Sequence, residues 1–317
     1  MPESIRPSNL YPDPVLTQWV VAYGAGPGFF QDRIAPVVYV ARQEFKYAVY
    51  GADQLNQEVE TRVLPGEAPS LVRRAKPTFI PGTCERNALD DKLTDELVNS
   101  APNPIVLEQN RTLKLVHELK LGVETRLKTL LDTSGTAENA PTTKWDAASG
   151  TIKIEQAFDS ARETFVKKCG FEANLAVIPP AVSKVMKRDA TIRELRKYTD
   201  PQLLVNGDLP PVLWGLPIVI PGALANAGNP MANFAQTIDR VWSTDTVYLL
   251  YVEPMADTQS MNSIAQYRWS QYGPAYAAYR WMDPHQSKRL RWISVENYQT
   301  EKVVCNDAIV RIPDVLA

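Results

Sequence analysis

A handful of residue groups in this sequence have types and spacings that could do chemistry. The first is a glycine cluster in VVAYGAGPGFF (positions 20–30), where Gly24, Gly26 and Gly28 follow an apolar run and Asp53 stands downstream. This is the outline of a dinucleotide loop, which cradles phosphates at a helix N-terminus. The spacing, however, puts Phe29 where the third glycine belongs, and Pro36 follows too soon for a βαβ crossover. The cluster is therefore expected to be a hinge in an arm. Neither G-x-x-x-x-G-K-[ST] nor G-x-S-x-G occurs anywhere in the chain. The two histidines, His117 and His285, fall in a helical stretch and a polar turn without a second histidine at metal-ligand spacing, so neither a zinc nor an iron site is expected.

Charged and aromatic clusters come next. Glu85, Asp90, Asp91, Asp95 and Glu96 crowd one segment, and paired acids can do acid–base or metal work. Nothing nearby supplies a pocket, so the expectation is a solvated charge run that tunes an interface. Lys184, Lys187, Arg188, Arg193, Arg196 and Lys197 lie on two short helical stretches. They could touch phosphate, but the stronger reading is an exposed face that pairs with acids on a neighbour. The stretch YRWSQYGPAYAAYRW (267–281), followed by Lys288, Arg289 and Arg291, could stack on bases. Strand packing and subunit interfaces use such rings more often. No group forms a credible catalytic set, so no catalytic residue and no cofactor is expected.

The elements that must carry these groups follow from composition and periodicity. Hydrophobic residues make up 44% and charged residues 22% of 317 positions, enough for a sizeable core in about two domains. The net charge of −2 lacks the basic footprint of a dedicated nucleic-acid binder. Three scattered cysteines, Cys84, Cys169 and Cys305, argue against a disulfide framework and for a reducing compartment. The N-terminus lacks a signal-peptide pattern, and no apolar run is long enough to span a membrane. Residues 1–35 read as an arm. Period-two alternation broken by Pro and Gly reads as a long β-ribbon over 36–99.

At Asn103-Pro104 a cap and a first-turn proline announce a helix to Ser134, closed by Gly135. Val116, Leu119, Val123, Leu127 and Leu130 form its stripe, widened by Leu113, Leu115 and Leu121, and Glu124 is expected to pair with Lys128. EQAFDSARETFVKKCG is a second amphipathic helix. LAVIP, LPIVIPG and VYLLYV read as buried strands, PAVSKVMKR as a short helix, and Thr191–Glu194 as a capping box. RWISVENYQ and KVVCNDAIVRI return as strands.

This order of parts resembles the major capsid proteins of tailed bacteriophages, which have the Hong Kong 97-type fold. The residues that carry the likeness are Leu16-Thr17, Tyr23, FFQDRIAPVVYV (29–40), Lys46-Tyr47, the long helix, EQAFDSARETFVKKCGFEANLAVIPPAVSKVM and the ending NDAIVRIPDVLA. The resemblance implies an α+β chain divided into an N-terminal arm (1–35), an extended E-loop ribbon (36–99) and a P-domain with the spine helix (100–149). An A-domain (150–262) and the return strands of the P-domain (263–317) complete it. It implies hexamers and pentamers that build an icosahedral shell around DNA, assembled in the host cytoplasm and found in the virion. Partners would be many copies of the same chain, DNA through non-specific contacts, and portal and decoration proteins, with no membrane. Only about 30 residues precede the ribbon, so any scaffold is expected to be a separate protein or absent. Phe29, Phe30, Arg33, Arg62, Arg73, Arg74, Asp90 and Asp91 are the expected assembly contacts. An encapsulin-type compartment shell and a cytoplasmic α+β enzyme are the alternatives.

Overall fold

The computed structural model describes residues 10–23, 29–51, 62–63, 77–147, 154–199, 209–226, 238–242, 244–273, 275–282 and 290–317. The glycines at 24, 26 and 28 lie outside these residues, as do Asp53, Arg73, Arg74, His285, Lys288 and Arg289. The chain opens with α1 (Pro14–Ala22) and α2 (Gln31–Ile34), followed by β1 (Val37–Val40), β2 (Glu44–Val49), β3 (Thr78–Thr83) and β4 (Glu85–Thr94). Next come α3 (Asp95–Ser100), α4 (Pro104–Thr133), β5 (Thr136–Ala137), α5 (Ile154–Cys169), β6 (Leu175–Val177), α6 (Pro180–Met186) and α7 (Ala190–Thr199). β7 (Val212–Leu213), β8 (Leu216–Val219), β9 (Leu224–Asn226), β10 (Ile238–Arg240) and β11 (Val247–Leu250) follow. β12 (Ile264–Trp269), β13 (Ala277–Met282), β14 (Leu290–Val303) and β15 (Ile309–Ile312) close the chain.

α4 is the spine. Asn103 Oδ1 accepts from the amides of Ile105 and Val106 at 3.2 and 3.4 Å, and Pro104 fills the first turn. Thirty residues make a rod of about 45 Å. Gly135 ends it at φ +80°, where an added Cβ would stand 2.4 Å from the Ile309 carbonyl oxygen. Only glycine fits both that backbone conformation and that approach. The inward face carries Leu115, Val116, Leu119, Val123, Leu127 and Leu131, while Leu113, Leu121 and Leu130 are half-buried. Glu124 does not pair with Lys128. It points into the core, and Lys128 reaches Asp132 at 2.7 Å instead.

Among the described residues, one five-stranded sheet is organised by β14. β12 and β13 pair with successive halves of one edge, β4 runs antiparallel along the other, and β1 adds parallel to β12. A six-stranded sheet has the order β5-β15-β11-β6-β8-β7. Both of its faces are covered: Ala176, Ile218, Leu249 and Val310 face one hydrophobic cluster, while Val177, Val219, Leu250 and Ile309 face another. That is why its strands read as unbroken apolar runs in the sequence. α5 closes the first face with Phe158, Ala161 and Phe165, and the C-terminal half of α4 closes the second with Val123, Leu127 and Leu131. The N-terminal half of α4 packs with Leu16 and Val20 of α1 and Ile293 and Val295 of β14. One helix thus serves both sheets.

The apolar run before the glycines belongs to α1, where Asp13 Oδ1 accepts from the Val15 and Leu16 amides, so no strand leads into the glycine cluster. Two local expectations change. α7 is capped by Asp189 Oδ2, which accepts from the Thr191 and Ile192 amides at 3.1 and 3.3 Å, two residues earlier than a box starting at Thr191. The described ribbon is β2 with β3, from Glu44 opposite Thr83 to Val49 opposite Thr78. β1 and β4 belong to the five-stranded sheet, held by the buried Val38, Val40 and Leu93. Alternation alone cannot distinguish a ribbon strand from a sheet strand with one buried face.

Candidate assembly surfaces

The acidic run does two jobs. Asp91 reaches Arg111 of α4 at 3.3 Å and Asp95 reaches Arg291 of β14 at 3.5 Å, so these two tie the sheet to the helices within the subunit. Glu85, Asp90 and Glu96 are exposed. The main ionic joint lies beside them and was not legible as a motif. Buried Glu108 on α4 accepts from Arg280 at 3.0 Å and Arg291 at 3.3 Å, and Arg280 also holds Asp13 at 3.0 Å. Two further buried acids on β14 each hold an arginine: Glu296 takes Arg86 at 2.7 Å, and Glu301 takes Arg126 at 2.8 Å. The signal that could have found Glu108 and Glu124 is their phase. They share the inward stripe with Thr112, Val116, Leu119 and Val123, where a charge must meet a buried partner.

Glu124 meets one from another part of the chain. Trp242 Nε1 donates to its Oε1 at 2.9 Å, while Oε2 is buried without a hydrogen bond. Burial pushes the carboxyl up to about 7, and the nearby Asp32 charge adds to the rise. Next to it, Phe29 sets its ring edge-on to His117 at 5.0 Å, Phe30 packs on the core cluster under α2, and the exposed Arg33 lies 5.9 Å over the Phe30 ring. Arg62 is exposed, Asp90 sits opposite Ser294 on β4, and Asp91 is taken up by Arg111. Of the expected contacts, the structure therefore groups Phe29, Phe30 and Arg33 and places Asp90 and Asp91 on the other sheet.

The basic residues divide as well. Lys184, Arg188 and Arg193 are exposed on and around α6 and α7. Lys184 and Lys187 join Arg33 and Arg240 in lining a cleft of about 460 Å³, floored by Leu209 and Ile218. The aromatic stretch packs into the subunit: Tyr267, Tyr276 and Trp281 are buried, and the Tyr267 ring lies tilted against Phe45 and Tyr47 of the ribbon at 4.6 and 5.3 Å. Among the described residues no cluster of His, Cys, Asp or Glu is arranged to hold a metal ion, and no helix is long and apolar enough to cross a membrane.

A ribbon, a spine helix shared by two sheets, and a six-stranded sheet flanked by helices together make up the Hong Kong 97-type fold, and the chain has that fold. It is similar to a phage-related protein from Bordetella bronchiseptica RB50, with TM-score 0.71 and 18% identity over 96% of this chain and 98% of that one. It is also similar to the capsid of cyanophage P-SCSP1u, with TM-score 0.57 and 10% identity over 90% of this chain and 87% of that one. The SrpI encapsulin complex from Synechococcus elongatus PCC 7942 gives TM-score 0.50 and 12% identity over 97% of each chain. No family model matches the sequence, and no curated protein matches it either.

Proposed function

We propose that this protein is the major capsid protein of a tailed bacteriophage, assembling as hexamers and pentamers into an icosahedral shell around DNA. In this reading residues 1–35 are the arm, 36–99 the segment that carries the E-loop ribbon between the body strands β1 and β4, 100–149 and 263–317 the P-domain and 150–262 the A-domain. The role is structural, without catalysis or cofactor. Assembly would take place in the host cytoplasm, with portal, decoration and separate scaffolding proteins as partners. The single observation that carries the reading is the apolar surface of the β2–β3 pair: Phe79 and Ile80 of β3 are exposed in the subunit, and a neighbouring copy in a shell would cover them.

The test is sedimentation and negative-stain microscopy of the purified chain. Closed particles of megadalton size support the reading, and a small soluble oligomer overturns it in favour of an enzyme. The likeness to an encapsulin makes contents the second measurement. DNA inside particles produced during infection or lysogeny supports a capsid, whereas a single enriched protein cargo supports a compartment shell.

A further inference from the structure

Two surfaces around the six-stranded sheet carry opposite charge. α5 packs over β15 and β11 and reaches Trp214 in the β7–β8 turn, and its outward side presents Glu155, Asp159 and Glu163, all exposed and each one turn from the next. Like charges at this spacing cost an isolated helix a few tenths of a kcal/mol per pair. Lys167 answers Glu163 at 2.7 Å, which draws that carboxyl below its ordinary range. Beside the row lies a hollow of about 460 Å³ lined by Glu138, Gln156 and Ser160. It gives a side chain from outside somewhere to enter.

Beside β8 stands the cleft between α2, α6 and β10. Arg33, Lys184, Lys187 and Arg240 line it, and among the described residues no carboxylate does. Its floor is apolar, and the exposed Leu224 and Ile238 extend that character along the face of the β9–β10 pair that carries Arg240. Four cations around an apolar floor fit an acidic protein face better than a phosphate backbone, which brings no apolar surface to bury.

We propose that the acidic side of α5 in one copy docks at the cation-lined cleft of the next copy. The two surfaces differ, so the contact is head-to-tail and repeats around a ring. This inference rests on the self-assembly reading above and assigns the charged surfaces by which neighbours would recognise each other.

The experiment uses the full chain in three forms: Glu155→Lys with Asp159→Lys, Lys184→Glu with Arg240→Glu, and all four changes together. Each pair alone should cut the yield of closed particles about tenfold or more through like-charge repulsion, while the subunit melts as the parent does. The fourfold variant should recover most of the yield, because its swapped charges are again complementary. Co-expression of the two paired variants is the sharpest arm. They can alternate around a six-membered ring but not a five-membered one, so rings or sheets without closed shells are expected. Parent-like yields from either pair, or a folded fourfold variant no better than the pairs, overturn the docking. So does a cleft variant that assembles normally but loses only nucleic acid, which would make the cleft a phosphate site. A parent chain that forms no particle overturns the assembly reading itself, and the docking falls with it.

Discussion

Glu124 makes the pH dependence of this subunit calculable. Its carboxyl sits at about 7 in the folded chain against an ordinary 4.5, because burial disfavours the charged form. The folded chain therefore holds a proton that the unfolded chain has released across this window. Stability should fall as pH rises from about 4.5 to about 7 and then level off, by up to roughly 3 kcal/mol from this group. Glu124→Gln keeps an oxygen for Trp242 Nε1 and cannot ionise. It should flatten that slope and raise the urea midpoint at pH 8, and an unchanged slope would place the titration elsewhere. Glu108 makes the opposite case, an acid kept because two arginines converge on it. Glu108→Ala leaves Arg280 and Arg291 facing a gap and should cost about 3 kcal/mol, read from the same unfolding midpoint. Periodicity shows both glutamates in the wrong place for a charge; it cannot show their partners, which come from positions 242, 280 and 291 far along the chain.

The spine helix was the most legible element because independent signals agreed at each point. Asn103 and Pro104 marked its start, Gly135 its end, and the apolar stripe its inner face. Leu119→Ala should cost about 2–5 kcal/mol, since the side chain is buried between α1 and β14. Gly135→Ala should cost about 1–3 kcal/mol from strain at positive φ, with the close Ile309 carbonyl adding to it. Parent-like midpoints would mean the packing or the turn is misassigned. The ribbon was less legible. Its alternating text covered both a true two-stranded pair and two strands of the body. What separates them is the long-range pairing of β4 with β14, ten residues in register across some two hundred positions of chain. Local pattern carries no information about such a partner.

At the scale of the molecule, the buried and the unburied parts have different tasks. The six-stranded sheet is sealed on both faces, and α4 links its core to the five-stranded sheet, so the body has what it needs to fold as one unit. The β2–β3 pair does not. A two-stranded pair is marginal alone, and this one is held to the body through β2, by Phe45 and Tyr47 against Tyr267 and by the Ala48 amide donating to the Thr258 carbonyl at 3.2 Å. Phe79 is 51% exposed and Ile80 39%, so β3 presents apolar side chains that its own subunit leaves largely uncovered. Such side chains are costly in water and useful against a neighbour. Phe79→Asp should therefore shift the subunit's unfolding free energy by no more than about 0.5 kcal/mol, as exposed positions do. Repeated at every contact of a shell, the same change should lower the yield of closed particles severalfold, because many weak contacts multiply. Sedimentation of the variant beside an unfolding curve decides the point. A stability loss matching the assembly loss would show that Phe79 serves the subunit, and full yield of particles would show that Phe79 faces solvent in the assembled state.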